Sequence, residues 1–303
     1  MTDDIQDFRI ADFHIQLIFR NADDAKYKNG MSLLPSFLPF TDRNNKDEIF
    51  FQLIIDDSLK PIDKSLRNRI RTFDTGNGDT IVDEIKGGGY QYIIKNIRQH
   101  DCCLLETNKD FSVCRCALNG SFVMRTFGLT NALMLIFAFR GSFKQTVLMH
   151  ASVIIKDGWG YAFTASSGTG KSTHTSLWLK YIKNTELLND DNPIIRIIDN
   201  IPYVYGCPWS GKTPCYRNLR APLGAVAMIK RDNKNFLKKL PVLTAYTTLL
   251  PAVSIMRWDK VTFDNVCNTI GNILENIDVF DLHCLPNKEA AIICQKSISK
   301  QKK

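Results

Sequence analysis

The chain has 303 residues, enough for one large domain or two ordinary ones, and 44% of them are hydrophobic and 23% charged. That composition excludes wholesale disorder, and 17 Gly with 11 Pro exclude a fibrous or linker-like protein. The formal charge of +8 suits an anionic partner, but neither basic stretch (Lys60, Lys64, Arg67, Arg69 and Arg71; Lys296, Lys300, Lys302 and Lys303) is interleaved with aromatics as a nucleic-acid groove would be.

The first 125 residues read as a β-rich accessory domain. Phe13–Phe19, Ile49–Ile55, 90–97, 103–106 and 111–118 are β-branched or aromatic runs separated by Asn, Asp and Gly turns. The basic stretch from Lys60 to Arg71 reads as helical, with its charges on a solvated face. Gly87-Gly88-Gly89 reads as a hairpin turn, since no lysine or helix start follows it. Nine cysteines, an odd count, argue for reduced thiols. Cys102, Cys103, Cys114 and Cys116 are expected as buried strand residues facing each other across a hairpin.

No apolar h-region precedes the first acidic residues, and the longest uncharged apolar run, 132–139, is far short of the roughly 20 residues of a membrane span. The expectation is a cytoplasmic protein without a membrane partner. Residues 129–141 are apolar nearly all round and end in Gly, which predicts a buried connecting helix.

From 126 onwards the pattern predicts a mixed α/β catalytic domain. Residues 160–173 read GYAFTASSGTGKST: an apolar strand, a glycine-rich turn, then a helical run to 183. This is a P-loop (Walker A) in its required context. Ser167, Gly168, Thr169, Gly170, Lys171, Ser172 and Thr173 are the candidate phosphate-binding residues. Gly168 and Gly170 permit positive φ, so that successive N–H groups converge on phosphate. Lys171 reaches the β- and γ-phosphates of ATP, and the Ser172 hydroxyl can ligate Mg²⁺. Ala165 stands where the strict pattern has Gly, which is tolerable only with negative φ.

The strand at 147–155 and the turn at 156–160 make the P-loop strand the second arm of a hairpin, where ordinary parallel-sheet NTPases have a preceding helix. After the P-loop helix, 186–188 returns and delivers Asn189-Asp190-Asp191 beside the loop. Two carboxylates near a triphosphate are what phosphoryl transfer needs, one to hold Mg²⁺ and one to accept a proton from the attacking hydroxyl. A second excursion, Ile194–Ile198 out and 203–205 back, brings the loop 206–212 toward Asp191, with Lys212 as a candidate second cation. Arg217 and Arg220 are weaker candidates. His150 is expected near the P-loop end of its hairpin. His174 and Trp178, at i and i+4, share a helix face.

The run HASVIIKDGWGYAFTASSGTGKSTHTSLW, followed by NDDNP and then GCPWSGK, resembles the HPr kinase/phosphorylase and phosphoenolpyruvate-carboxykinase-like superfamily, in particular HPr-kinase-like proteins often encoded with peptide-modification systems. The match covers roughly residues 147 to 230. It implies a mixed-sheet P-loop kinase domain, with helices over 241–277 and a late strand at 279–284. It also implies Lys171 and Ser172 on phosphates and metal, with Asp190 handling the proton and Asp191 as metal partner or the two roles exchanged, and it supports a role for His150. Asn218-Leu219-Arg220-Ala221-Pro222-Leu223-Gly224 replaces the downstream glycine- and arginine-rich signature, which argues against phosphorolysis and against HPr as substrate. The reading is therefore an ATP- and Mg²⁺-dependent kinase for a hydroxyl, serine above all, of a peptide, protein or small molecule. A nucleotide-gated binding module without turnover is the alternative, and a homo-oligomer is compatible with either.

Overall fold

Residues 3–20, 30–43, 46–166, 168–211 and 213–300 are described by the computed structural model. Apolar residues on alternate positions build the first unit, residues 1–140. Its strands are β1 (Asp4–Ile10), β2 (Phe13–Phe19), β3 (Ile49–Ile55), β4 (Arg67–Asp74), β5 (Asp79–Ile85), β6 (Tyr90–Lys95), β7 (Asp101–Thr107) and β8 (Val113–Leu118). They form one sheet in the order β1-β2-β3-β8-β7-β6-β5-β4, with β3 parallel to both neighbours and the other pairs antiparallel.

Helix α1 (Phe122–Ser142) is longer than the sequence predicts, and the expected domain boundary at 125/126 falls inside it. The chain divides instead at 140/141. Phe137 packs 5.7 Å from Phe50 and 6.0 Å from Phe13, two rings that stack at 4.0 Å on the sheet. Arg125 bonds Asp57 at 2.8 Å near one end, and Arg140 bonds Asp110 at 2.6 Å near the other. By length and composition alone α1 passes for a membrane span (21 residues, mean hydropathy 1.6), and half of its apolar stretch is buried in the structure.

Two strands went unread in this unit besides β1. The stretch predicted as helical is a short 3-10 turn, Lys64–Leu66, capped by Asp63, followed by β4. Arg67, Arg69 and Arg71 recur with the period of a strand rather than a helix. Arg67 and Arg69 both bond the buried Asp83 on β5. The glycines at 87–89 do turn β5 into β6, and Cys103, Cys114 and Cys116 are buried free thiols; a hydrogen bond with Cys116 and burial push the Cys103 thiol up, and burial pushes up that of Cys114.

The second unit, 141–303, holds β9 (Thr146–Leu148), β10 (Ala151–Lys156), β11 (Trp159–Thr164), α2 (Lys171–Tyr181), β12 (Thr185–Asp191), β13 (Ile194–Ile198), β14 (Ile201–Tyr205), β15 (Arg220–Arg231), β16 (Phe236–Lys239), α3 (Val242–Leu249), α4 (Lys260–Asn276), β17 (Asp278–Cys284) and α5 (Lys288–Ile298). The mixed sheet runs β12-β10-β11-β15-β14-β13-β9, with β17 also beside β15 and β16 beside β17. Strand β15 joins its halves: residues 220–222 pair antiparallel with β14, and from Leu223 on the strand runs parallel to β11. Alternation sends Ala162 to a core with Ala245, Ile270 and Ile273, from α3 and α4, on one face. Tyr161 and Phe163 go to a core with Trp178 of α2 and Ala290, Ala291 and Cys294 of α5 on the other.

Candidate active site

The site begins at a two-residue hairpin. Asp157 (φ 50°) and Gly158 (φ 84°) connect Lys156 to its partner Trp159, the left-handed pair that a tight β-turn requires. The register then sets Ala151 opposite Thr164, and the Thr164 hydroxyl donates to the His150 carbonyl at 2.9 Å. His150 therefore lies where the glycine-rich loop leaves β11, as the simple register predicts. On the other edge of β10, β12 pairs antiparallel, so β12 runs in the direction of β11 with β10 between them. Its carboxyl end is delivered to the loop in this way, Ser152 opposite Asp190.

Gly168 (φ 74°) and Gly170 (φ 129°) hold the backbone in conformations that side chains resist, while Ala165 keeps φ out of the positive region, as its methyl demands. Lys171 opens α2, and Ser172 Oγ lies 3.0 and 3.2 Å from the two carboxylate oxygens of Asp190. Asp190 is 3% exposed and is also bonded by the Ser152 hydroxyl and, at 3.3 Å, by the Thr213 N–H.

Asp191 faces a different partner. Its Oδ1 lies 3.0 Å from His150 Nδ1, and His150 Nε2 lies 2.6 Å from Lys171 Nζ. Neighbouring strand residues ordinarily face opposite sides. The φ of 116° at Asp191 breaks that alternation and turns both carboxylates toward the loop. Such a conformation costs about 1–3 kcal/mol and persists only where its surroundings impose it. Here the 206–211 loop does so, through the Gly211 N–H on the Asp190 carbonyl and a bridge from Ser210 to Asp191.

Electrostatics follow from this geometry. Burial alone would raise Asp191, but the His150 hydrogen bond and the Lys171 charge outweigh it and hold the carboxyl below its usual range. Burial lowers Lys171, opposed by Asp191 and Asp190. His150 thus bridges the two, its Nδ1 toward the Asp191 carboxylate and its Nε2 toward the Lys171 amine, with donor and acceptor roles set by the tautomer.

The structure thus brings together Lys171, Ser172, Asp190, Asp191 and His150. It pairs Ser172 with Asp190 rather than with Asp191, the expected metal partner. Ser167 and Lys212 lie outside the described residues. Arg217 is engaged by Glu186 and the Leu187 carbonyl, and Arg220 by Tyr205 and the Tyr203 ring. His174 and Trp178 bond each other at 3.0 Å in the core.

Arg231 escaped sequence reasoning. At the end of β15 its guanidinium donates to the carbonyls of Gly168 (2.5 Å) and Thr169 (3.1 Å), which turns those carbonyls outward. The available signal was its place at the carboxyl end of a strand parallel to β11, where such sheets bind ligands. Two cavities flank the loop. One, of about 660 Å³, is lined by His150, Ser166, Lys230 and Thr247; the other, of about 560 Å³, by Gly168, Thr173, Arg231 and Leu285. A larger depression of about 720 Å³ sits at the opposite end of α2, over 179–186, away from the carboxylates.

For Mg²⁺, the Ser172 hydroxyl beside the Asp190 carboxylate is an oxygen pair of the kind that ion takes when phosphates and water complete its shell. Among the described residues no group of three His, Cys, Asp or Glu gathers into a full cage.

Among solved structures, the HPr(Ser) kinase/phosphatase from Coxiella burnetii aligns with 49% of this chain and 91% of its own, at 11% identity and a TM-score of 0.29. A superposition that loose assigns neither fold nor activity. No family model and no curated protein matches the chain.

Proposed function

We propose that the second unit is a P-loop phosphotransferase that moves the γ-phosphoryl group of ATP to a hydroxyl of a peptide, protein or small molecule. The observation that carries it is the unbroken contact chain Lys171–His150–Asp191 beside the Ser172–Asp190 pair, all at the mouth of a glycine loop in positive-φ conformations.

The loop N–H groups and the start of α2 receive the phosphates, helped by the helix dipole. Ser172 and Asp190 would hold Mg²⁺, which supplies charge neutralisation on the phosphates when bound. Lys171 exchanges His150 for phosphate oxygens. That exchange frees His150 Nε2 to take the proton of the attacking hydroxyl, while Asp191 holds the ring through Nδ1 and stabilises the imidazolium that forms. The proton-handling role expected of Asp190 thereby passes to the Asp191–His150 pair, and the metal role expected of Asp191 passes to Asp190.

The test is thermal unfolding with and without Mg-ATP, followed by ATP consumption, in wild type and Lys171→Ala. A ligand at 100 times its Kd stabilises by about 2.7 kcal/mol, several degrees in Tm. The expected result is a shift in wild type that Lys171→Ala loses; no shift in either protein sinks the reading.

A further inference from the structure

The sheet of the first unit ends in two edges that the chain treats differently. Outside β1, Phe8 bridges Thr41 and the Asp42 N–H donates to the Asp7 carbonyl at 2.9 Å, so the chain's own backbone covers that edge. Strand β4 pairs with β5 alone among the described residues. Its register slips once, between Arg69 and Arg71, and then runs without a break from Arg71 opposite Val82 to Asp74 opposite Asp79. The Thr75 N–H donates to the Gly78 carbonyl at 2.8 Å, which fixes the alternation of the ladder. Arg71 and Phe73 therefore direct their main-chain groups at β5, while Thr72 and Asp74 turn theirs outward.

The charges along this edge are mostly of one sign. Residues 60–74 carry Lys60, Lys64, Arg67, Arg69 and Arg71 against Asp63 and Asp74. Those two carboxylates accept from N–H groups of their own turns, Ser65 and Gly76, each at 2.7 Å. The buried Asp83 engages Arg67 and Arg69. Lys60, Lys64 and Arg71 are exposed and make no hydrogen bond or ion pair among the described residues. Like charges on an edge keep away a strand of the same sign and admit one of the opposite sign. A second copy pairing along β4 would bring two sets of arginines together.

We propose that the β4 edge takes an extended acidic segment of another polypeptide as an added strand. The outward N–H and C=O groups of Thr72 and Asp74 supply its main-chain bonds, and carboxylates along the added strand meet the unpaired cations, Arg71 above all. The first unit thereby has a docking function of its own. The inference concerns that unit alone and stands whether or not the second unit transfers phosphate.

Fluorescence anisotropy of a dye-labelled peptide of alternating Glu and Val, titrated with the full chain at physiological salt, tests it. A copy of that peptide N-methylated at every residue keeps the charge and donates no main-chain bond. Wild type is expected to bind the first peptide at least about tenfold more tightly than the second. Thr72→Pro removes an outward N–H and leaves the β5 ladder intact, as edge prolines do, and is expected to cost about tenfold. Arg71→Glu, at an exposed side chain without a partner, should also cost about tenfold, and it decides alone if the proline variant does not fold. Equal affinities for the two peptides overturn strand addition, and undiminished binding in either folded variant overturns β4 as the site. Binding of neither peptide, or a dimer in sedimentation that Thr72→Pro abolishes, overturns the acidic segment as the occupant.

Discussion

The ion pairs that fasten the first unit contrast with the charges gathered at the glycine loop of the second. In the first, each partly buried ion pair ties one element to another: Arg125 and Arg140 fasten α1 at its two ends, and Arg67 with Arg69 shares Asp83 between β4 and β5. Their partners are fixed by the fold. In the second, Lys171, His150 and Asp191 meet at the ends of α2, β10 and β12, with His150 and Asp191 side chains 43% and 35% exposed. These contacts join side chains at the half-open ends of their elements, where on the proposed function each group can exchange its partner for a phosphate. Charges that hold a fold and charges that can do chemistry are told apart here by what would come loose on exchanging them.

Substitutions can sharpen that distinction. The largest effect is expected at His150: His150→Ala should lower turnover by about 10²–10⁴-fold, as for other general bases, with ATP-induced stabilisation retained in thermal unfolding. Undiminished turnover would move proton transfer to Asp190. Phe51→Ala, in the wholly buried core of the first unit, should cost about 3–5 kcal/mol in denaturant unfolding and leave ATP affinity unchanged. An altered affinity would break the separation between the units.

A pH profile gives the next effect. His174 titrates at 6.5 when unfolded and about 4 when folded, so between those values the unfolded chain binds the extra proton. Stability is complete above pH 6.5, falls by about 3 kcal/mol as pH drops to 4, and levels below it. That limb should vanish in His174→Phe; a limb of the same size in the variant assigns it elsewhere. The smallest effect is expected at Arg231→Ala, where losing a charged donor to two loop carbonyls should weaken ATP by about 1.5–3 kcal/mol without changing turnover at saturation. A loss of turnover instead would give Arg231 a direct role at the transferring group.

Much of the second unit could be read from its residues because its signals are local. The β10–β11 hairpin, the glycine loop and the β13–β14 hairpin with its Asp199-Asn200 turn each declare themselves within a dozen positions. What escaped is non-local. Which carboxylate meets Ser172 depends on the register of β10 with β12, and where Asp191 points goes with a positive φ beside a loop some twenty positions on. Arg231 reaches the loop from 63 positions beyond Gly168, and no spacing rule announces that. In the first unit β4 was obscured because arginines at every second position look like a charged helix until their shared partner Asp83 is known.

The position of β15 has a consequence for the order in which the site is made. As the chain is synthesised, His150, the glycine loop and both carboxylates emerge within 42 positions, 150 to 191. The antiparallel hairpin and helix that carry them are contacts of short range, which form fast. Parallel pairing of β11 with β15 must wait for the next forty residues, and with it comes the guanidinium that turns the loop carbonyls away. A nascent chain therefore holds His150, Asp190 and Asp191 together before Arg231 reaches the loop, and on the proposed function nucleotide capture would be a late event, withheld until the central strand is in place.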